Sequence, residues 1–245
     1  MLSVNVNKIA LIRNARGTGY PDLLYFVRKI LDAGVKGITV HPRPDERHIT
    51  RQDVYDIAEF LVDYPDVEFN IEGFPSEPFM AMITDVKPAQ CTLVPDEPGQ
   101  LTSDHGWDVM AQQALLNDVL VRLSALEVRS SLFLDPVPAR VEAVKAVGAD
   151  RIELYTESFA RAYADRARNQ PVLDEGLEAY RETADKARAL GIGVNAGHDL
   201  NLQNLATFLE YCPVDEVSIG HALVVESLEM GMSEVLRRYL EITGG

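Results

Sequence analysis

The chain has 245 residues, 47% of them hydrophobic, and a formal net charge of −15. Its hydrophobic content is ample for a large buried core and excludes the disordered and fibrous classes. The acidic balance excludes a nucleic-acid partner, because phosphate backbones need a net basic face.

The longest apolar runs, such as Ile38 to Val40 and Ile192 to Val194, are far too short to span a bilayer, and no charged and then apolar leader opens the chain. No membrane partner is expected, and the expected location is cytoplasmic. Cys91 and Cys212 lack a Cys-x-x-Cys spacing and read as buried free thiols. Charge is unevenly placed. Residues 1 to 51 hold nine Lys or Arg against four Asp or Glu, a local +5 in a chain of −15. A basic pocket in an acidic protein suits a small phosphorylated ligand.

Taken in order, β-rich runs alternate with helical ones. The predicted strands are Leu2 to Val6, Gly37 to His41, Val67 to Glu72, Ala89 to Val94, Val128 to Leu134, Arg151 to Tyr155, Gly191 to Asn195 and Glu216 to Ile219. They read as mostly apolar throughout, as parallel strands covered on both faces should. Between them, Leu23, Phe26, Val27, Ile30 and Leu31 follow a 3.6-residue period, as do Val54, Ile57, Ala58, Leu61 and Val62. Gly34, Gly148 and Gly191 each stand just past a helix, where a left-handed residue ends it before the next strand. Eight such βα units without a linker predict an α/β fold, a (β/α)8 TIM barrel with additional short helices, in one domain over residues 1–245. A doubly wound open sheet is the alternative. It lacks a Gly-x-Gly-x-x-Gly turn between strand and helix.

Three connections exceed what packing requires. Leu11 to Tyr20 carries two arginines and two glycines. Pro95 to Trp107 has the composition of a mobile loop with hinge positions, and Glu157 to Val172 is expected to contain an extra short helix.

In a barrel, function collects at the C-terminal strand ends. There the sequence places Asn5, Asn7 and Lys8, then His41 and Arg43 with His48 in the following turn, then Glu72, the Thr102 loop, Glu153, His198 with Asp199, and Gly220-His221. Two histidines and two carboxylates beside arginines form an acid/base set, since imidazole titrates near neutrality and a buried carboxyl can be raised to meet it. Gly197-His198 and Gly220-His221 follow strands seven and eight, where barrels bind phosphate through backbone N–H groups. A divalent metal on His41, Glu72, Glu153, His198 and His221 is the competing reading. Neither His-x-His nor His-Glu-x-x-His spacing occurs, and the neighbouring arginines would repel a cation.

These motifs resemble the pyridoxine 5'-phosphate synthase family from Leu2 to Leu240. The resemblance rests on Ser3-Val-Asn-Val-Asn-Lys-Ile-Ala10, Arg13-Asn-Ala-Arg-Gly17, Gly37-Ile-Thr-Val-His-Pro-Arg-Pro-Asp-Glu-Arg-His48, Asn70-Ile-Glu72, Arg151-Ile-Glu-Leu-Tyr155, Asn195-Ala-Gly-His198 and Ser218-Ile-Gly-His221. It implies a homo-octamer built from dimers, without metal or organic cofactor, that condenses 1-deoxy-D-xylulose 5-phosphate with 3-amino-2-oxopropyl phosphate. It further implies His41 and Glu72 as proton acceptors, His198 as proton donor and Glu153 as transition-state stabiliser. Asn5, Arg16, Gly220 and His221 would hold the aminoketone phosphate, and Arg43, His48 and Thr102 the deoxyxylulose phosphate. Two places depart from the commonly described pattern: Asn7-Lys8 stands for Asp-His, and Asp199 for a glycine. Both remain candidate substrate contacts.

Overall fold

The structure is a computed structural model that describes residues 1–96, 100 and 103–244. Its strands are β1 (Leu2–Asn5), β2 (Gly37–Val40), β3 (Glu68–Gly73), β4 (Gln90–Leu93), β5 (Arg129–Leu134), β6 (Arg151–Tyr155), β7 (Gly193–Gly197) and β8 (Glu216–Ile219). Each pairs parallel with the next, and β8 closes on β1. The helices are α1 (Asn7–Asn14), α2 (Leu23–Asp32), α3 (Arg51–Leu61), α4 (Glu77–Val86), α5 (Gln113–Ala125), α6 (Val141–Val147), α7 (Glu157–Ala164), α8 (Gln170–Ala189), α9 (Leu205–Tyr211), α10 (His221–Met230) and α11 (Met232–Thr243). This is the (β/α)8 TIM barrel that the alternation predicts, and α7 is the extra short helix.

Two local expectations are corrected. The long connection expected after β1 is half helix: α1 starts two residues beyond the strand. Only Ile9 and Ala10 are buried in it, while Leu11 and Ile12 face outward, so it shows no apolar stripe to read. Strand β7 begins at Gly193 rather than Gly191, because residue 191 is consumed in stopping α8. Gly191 takes φ +73 and donates to the Arg188 carbonyl at 2.9 Å. That shift places Asn195 inside the barrel and His198 immediately past its rim. Gly34 and Gly148 also have positive φ, +101 and +82, as helix stops require.

A third correction concerns the strands themselves. They are not apolar throughout but alternate, and the polar set faces the lumen. Gln90 on β4 donates to Glu216 on β8 at 3.3 Å, and Asn195 on β7 donates to Gln90 at 3.3 Å. In an eight-stranded barrel β4 and β8 are opposite, so these bonds run across the interior. Ser3 with Thr39 at 2.7 Å and Thr92 with Asn70 at 3.0 Å continue the polar lining. The apolar half of the alternation, including Val4, Ile38, Val40, Ile71, Leu132, Ile152, Leu154 and Val194, packs outward against Val27, Ile30, Val54, Ile57, Met80 and Leu116 of the helices. The hydrophobic core is therefore a shell between sheet and helices, which contributes roughly 25 cal/mol per Å² of apolar surface buried. The lumen is left free for hydrogen-bonding groups.

The loop after β2 is pinned from two sides. Thr50 and Asp53 form a capping box at the start of α3. Arg13 meets Asp53 at 2.5 and 2.8 Å and, with Asn14, holds the His48 carbonyl at 3.2 and 2.7 Å. Arg13 is thus a structural clamp. Burial pushes the Cys91 and Cys212 thiols up, so both are inert free cysteines. Among the described residues no helix is long and apolar enough to cross a membrane.

Candidate active site

A cavity of about 580 Å³ opens at the C-terminal ends of the strands. It brings together Asn5, Asn7, Lys8, His41, Arg43, His48, Glu72, Glu153, His198, Asp199, Gly220 and His221 from the predicted set. Arg16 is not among them: it is exposed in the turn after α1. Thr102 lies outside the described residues. Arg47, Ser103, Tyr155, Glu157, Asn201 and Ser218 also line the cavity. Of these, Ser103 carries no spacing signal, while inward parity marks Tyr155 with Glu153 on β6 and Ser218 with Glu216 on β8.

A relay of amides orients the first half of the site. Asn5 Oδ1 accepts the Asn7 backbone N–H at 3.0 Å, which fixes the amide so that Nδ2 faces Glu72 Oε2 at 3.5 Å. Asn7 Oδ1 in turn accepts the His41 N–H at 2.9 Å. His41 Nδ1 then stands 3.8 Å from Glu72 Oε2. Burial, reinforced by Arg43, holds the His41 pKa well below its ordinary value, whereas burial and the Glu153 charge push that of Glu72 well above its own. The two opposed shifts favour the protonated carboxyl of Glu72 and the neutral imidazole of His41.

His48 has a defined tautomer. Its Nδ1 accepts the Ile49 N–H at 2.9 Å, so the ring proton is on Nε2. Burial, Arg43 and Lys8 lower its pKa to about 4, so it is a neutral donor near pH 7. Arg43 is already engaged: it meets Asp96 Oδ2 at 2.5 Å and the Gln100 carbonyl at 3.0 Å, and Ser103 donates to the same Asp96 oxygen at 2.8 Å. A phosphate can reach Arg43 only by sharing it with Asp96. Arg47 pairs with Asp45 at 2.6 Å, as its spacing suggests, and reaches Gln100.

Glu153 sits deeper. Burial and the charge of Glu216 raise its pKa to about 8. Glu216, at the start of β8, is held by Asn195 at 3.2 Å and Arg151 at 3.5 Å, and sequence reading did not single it out. A Cβ on Gly197 would collide with Glu153 Oε1. Gly197→Ala is therefore expected to destabilise the fold by about 1–3 kcal/mol through overpacking. Urea denaturation of both proteins measures this, and equal midpoints would show the carboxyl free to move aside.

His198 closes the far wall, its ring 5.1 Å from Phe133 and 5.3 Å from Tyr155. Burial lowers its pKa, and Asp199 opposes that. His198 and Asp199 have φ of +79 and +56, consecutive left-handed residues without a glycine. Each costs roughly 1–3 kcal/mol, a strain that the surrounding clamp must hold. Thr156 Oγ1 donates to the carbonyls of Gly197 and His198, and Asn204 Nδ2 to that of Asp199 at 3.0 Å.

Gly220 caps α10 at φ −125, and a Cβ there would meet Asn5 at 3.1 Å. The first turn of this ten-residue helix has no side-chain cap, and Gly220, His221 and Ala222 line the cavity, an arrangement suited to an anion. Among the described residues no group of three His, Cys, Asp or Glu is arranged to hold a metal ion.

Comparison with known proteins gives one answer at the level of sequence. The family model "Pyridoxal phosphate biosynthesis protein PdxJ" matches residues 2–244. A pyridoxine 5'-phosphate synthase of Allorhizobium ampelinum is 47% identical, covering 99% of this chain and 97% of its own length. That of Bacteroides thetaiotaomicron is also 47% identical, over 97% of each chain. Among solved structures, one described as "Native KDPGal structure" superposes with a TM-score of 0.63 at 11% identity, covering 98% of this chain and 93% of that one. Such a likeness speaks to the barrel alone, whereas near-half identity over the whole length speaks to descent. The chain belongs to the PdxJ family of pyridoxal phosphate biosynthesis proteins.

Proposed function

We propose that this chain is a pyridoxine 5'-phosphate synthase of vitamin B6 biosynthesis, joining 1-deoxy-D-xylulose 5-phosphate and 3-amino-2-oxopropyl phosphate into a pyridine ring. The carrying observation is that the cavity holds two carboxyls, Glu72 and Glu153, raised by burial, beside histidines lowered by it. Groups with opposed shifts supply acids and bases at one pH. Ring closure needs both, because an amine adds to a ketone, water and phosphate leave, and a carbon–carbon bond forms.

His41, neutral before substrate binds, accepts the first proton. Glu72 starts protonated and becomes an acceptor once the ammonium of the aminoketone brings a positive charge beside it. His198 donates to departing oxygen, and Glu153 stabilises charge from below. The α10 N-terminus with Gly220, His221 and Asn5 holds one phosphate. Lys8 and the Nε2–H of His48 take the other, with Arg43 behind them and Asn7 and Asp199 at the rim. No residue is assigned to a metal or organic cofactor. A homo-oligomer, an octamer built from dimers, in the cytoplasm belongs to the same proposal. Exposed Leu11 and Ile12 on α1 and Val225 and Leu228 on the adjoining α10 support an apolar interface. Light scattering at defined concentration tests it.

Purified protein given both substrates without added metal is expected to release phosphate and form the absorbing pyridine product. Folded protein that forms no product rejects the reading. A chelator-sensitive activity would instead favour a metal-dependent sugar-phosphate enzyme.

A further inference from the structure

Helix α1 ends in two side chains that act outside their own helix. Asn14 Nδ2 faces three successive carbonyls of the turn after β2, those of Glu46, Arg47 and His48, at 3.5, 3.2 and 2.7 Å. The amide has one orientation, because Asn14 Oδ1 accepts from Arg13 Nε at 3.0 Å. Arg13 is itself held by both Asp53 oxygens and reaches the same His48 carbonyl at 3.2 Å. The turn needs such a grip. It lies between β2 and α3, outside the hydrogen-bond ladder of either, and Glu46 in it stands at φ +50, a left-handed conformation in a residue other than glycine.

The grip converges on one peptide plane. The His48 carbonyl and the Ile49 N–H belong to the same rigid unit. Asn14 and Arg13 hold its oxygen, while its N–H donates to Nδ1 of the His48 ring, 2.9 Å away. Wherever α1 sets this plane, the imidazole must turn to accept from it, and the Nε2–H on the other side of the ring turns with it. We propose that Asn14 is a positioning residue for the phosphate subsite on this side of the cavity, aiming the His48 Nε2–H by fixing the peptide between His48 and Ile49. The inference deepens the proposed function and rests on it for the ligand, the phosphate of the deoxyxylulose substrate. Among the described residues, His48 lines the cavity and neither Asn14 nor Arg13 does, so both reach the ligand only through the turn.

The test is a proton–nitrogen NMR correlation on isotope-labelled histidine in the full-length protein at neutral pH, where the His48 ring is uncharged, with its signals assigned through His48→Gln. Wild type is compared with Asn14→Asp, which keeps the shape but cannot donate, and with Asn14→Ala, which removes the amide and carries the test if the carboxylate unfolds the turn. Wild-type His48 is expected to show a single tautomer with its proton on Nε2. In both variants the two ring nitrogens should move toward averaged shifts. KM for the deoxyxylulose phosphate is expected to rise about tenfold, the worth of a hydrogen bond to a charged group, while kcat and KM for the aminoketone stay within about twofold. A single Nε2–H tautomer retained in the folded variants overturns the proposal whatever the activity. So does an equal rise of both KM values with a lowered unfolding temperature, which would make Asn14 a support of the whole barrel. Averaged tautomers with an unchanged KM uphold the coupling of Asn14 to His48 and reject His48 as a phosphate ligand, a failure of the proposed function instead.

Discussion

Glu72→Gln is expected to lower kcat by about 10²–10⁴-fold, the usual worth of a positioned acid or base, while KM for either substrate changes by less than about threefold. The amide keeps the shape of the carboxyl, and its oxygen can still accept from Asn5 Nδ2, now at 3.5 Å from Glu72. It also resembles the protonated carboxyl that burial favours at Glu72. What it cannot do is exchange a proton with His41 Nδ1, 3.8 Å away. Loss of binding would therefore be small and loss of turnover large. Steady-state rates of product formation, with thermal unfolding by circular dichroism as a control, decide the matter; near-normal kcat would remove Glu72 from the proton path.

The second large effect is on stability, and its sign follows from linkage. Glu153 titrates at about 8 in the fold against 4.5 in its ordinary state. Between those values the folded chain holds a proton that the unfolded chain has released, so stability is greatest below the lower value and falls as pH rises through the higher one. The accumulated loss is about 5 kcal/mol above pH 8. Glu153→Gln removes this titration. The variant is expected to match the wild type at pH 5 and exceed it by most of that amount at pH 8.5, while losing about 10²-fold in kcat. Urea unfolding at the two pH values measures it, and a stability difference independent of pH would show that Glu153 is not held protonated by the fold. Glu216 contributes to the raised value, so the effect should shrink in a Glu216→Gln background.

The strand ends were legible because they combine two signals, a β-branched run and a titratable residue at its terminus. His41 and Glu72 show this combination, Glu153 lies within its strand, and the structure brings all three to one cavity. His198 was found although its strand was placed two residues early, since the strand terminus and the following turn both fall within the motif. Asp96 was missed because its importance lies in Arg43, a contact across 53 residues that no local pattern encodes. Helix α1 was missed because a helix with two buried residues writes almost no periodicity.

By itself the sequence determined the eightfold βα alternation, the glycines that stop the helices, and the inventory of acids, bases and cations on one rim. These are local properties, set by side-chain parity, backbone preference and chain order. Only the tertiary structure decided which of those groups work together and in what state of charge. Closing the sheet places β4 opposite β8, turns the polar half of each strand into a shared lumen, and buries the carboxyls of Glu72 and Glu153 within one another's field. Proton affinity depends on surroundings drawn from every strand at once, and that is information the chain acquires only when the barrel closes.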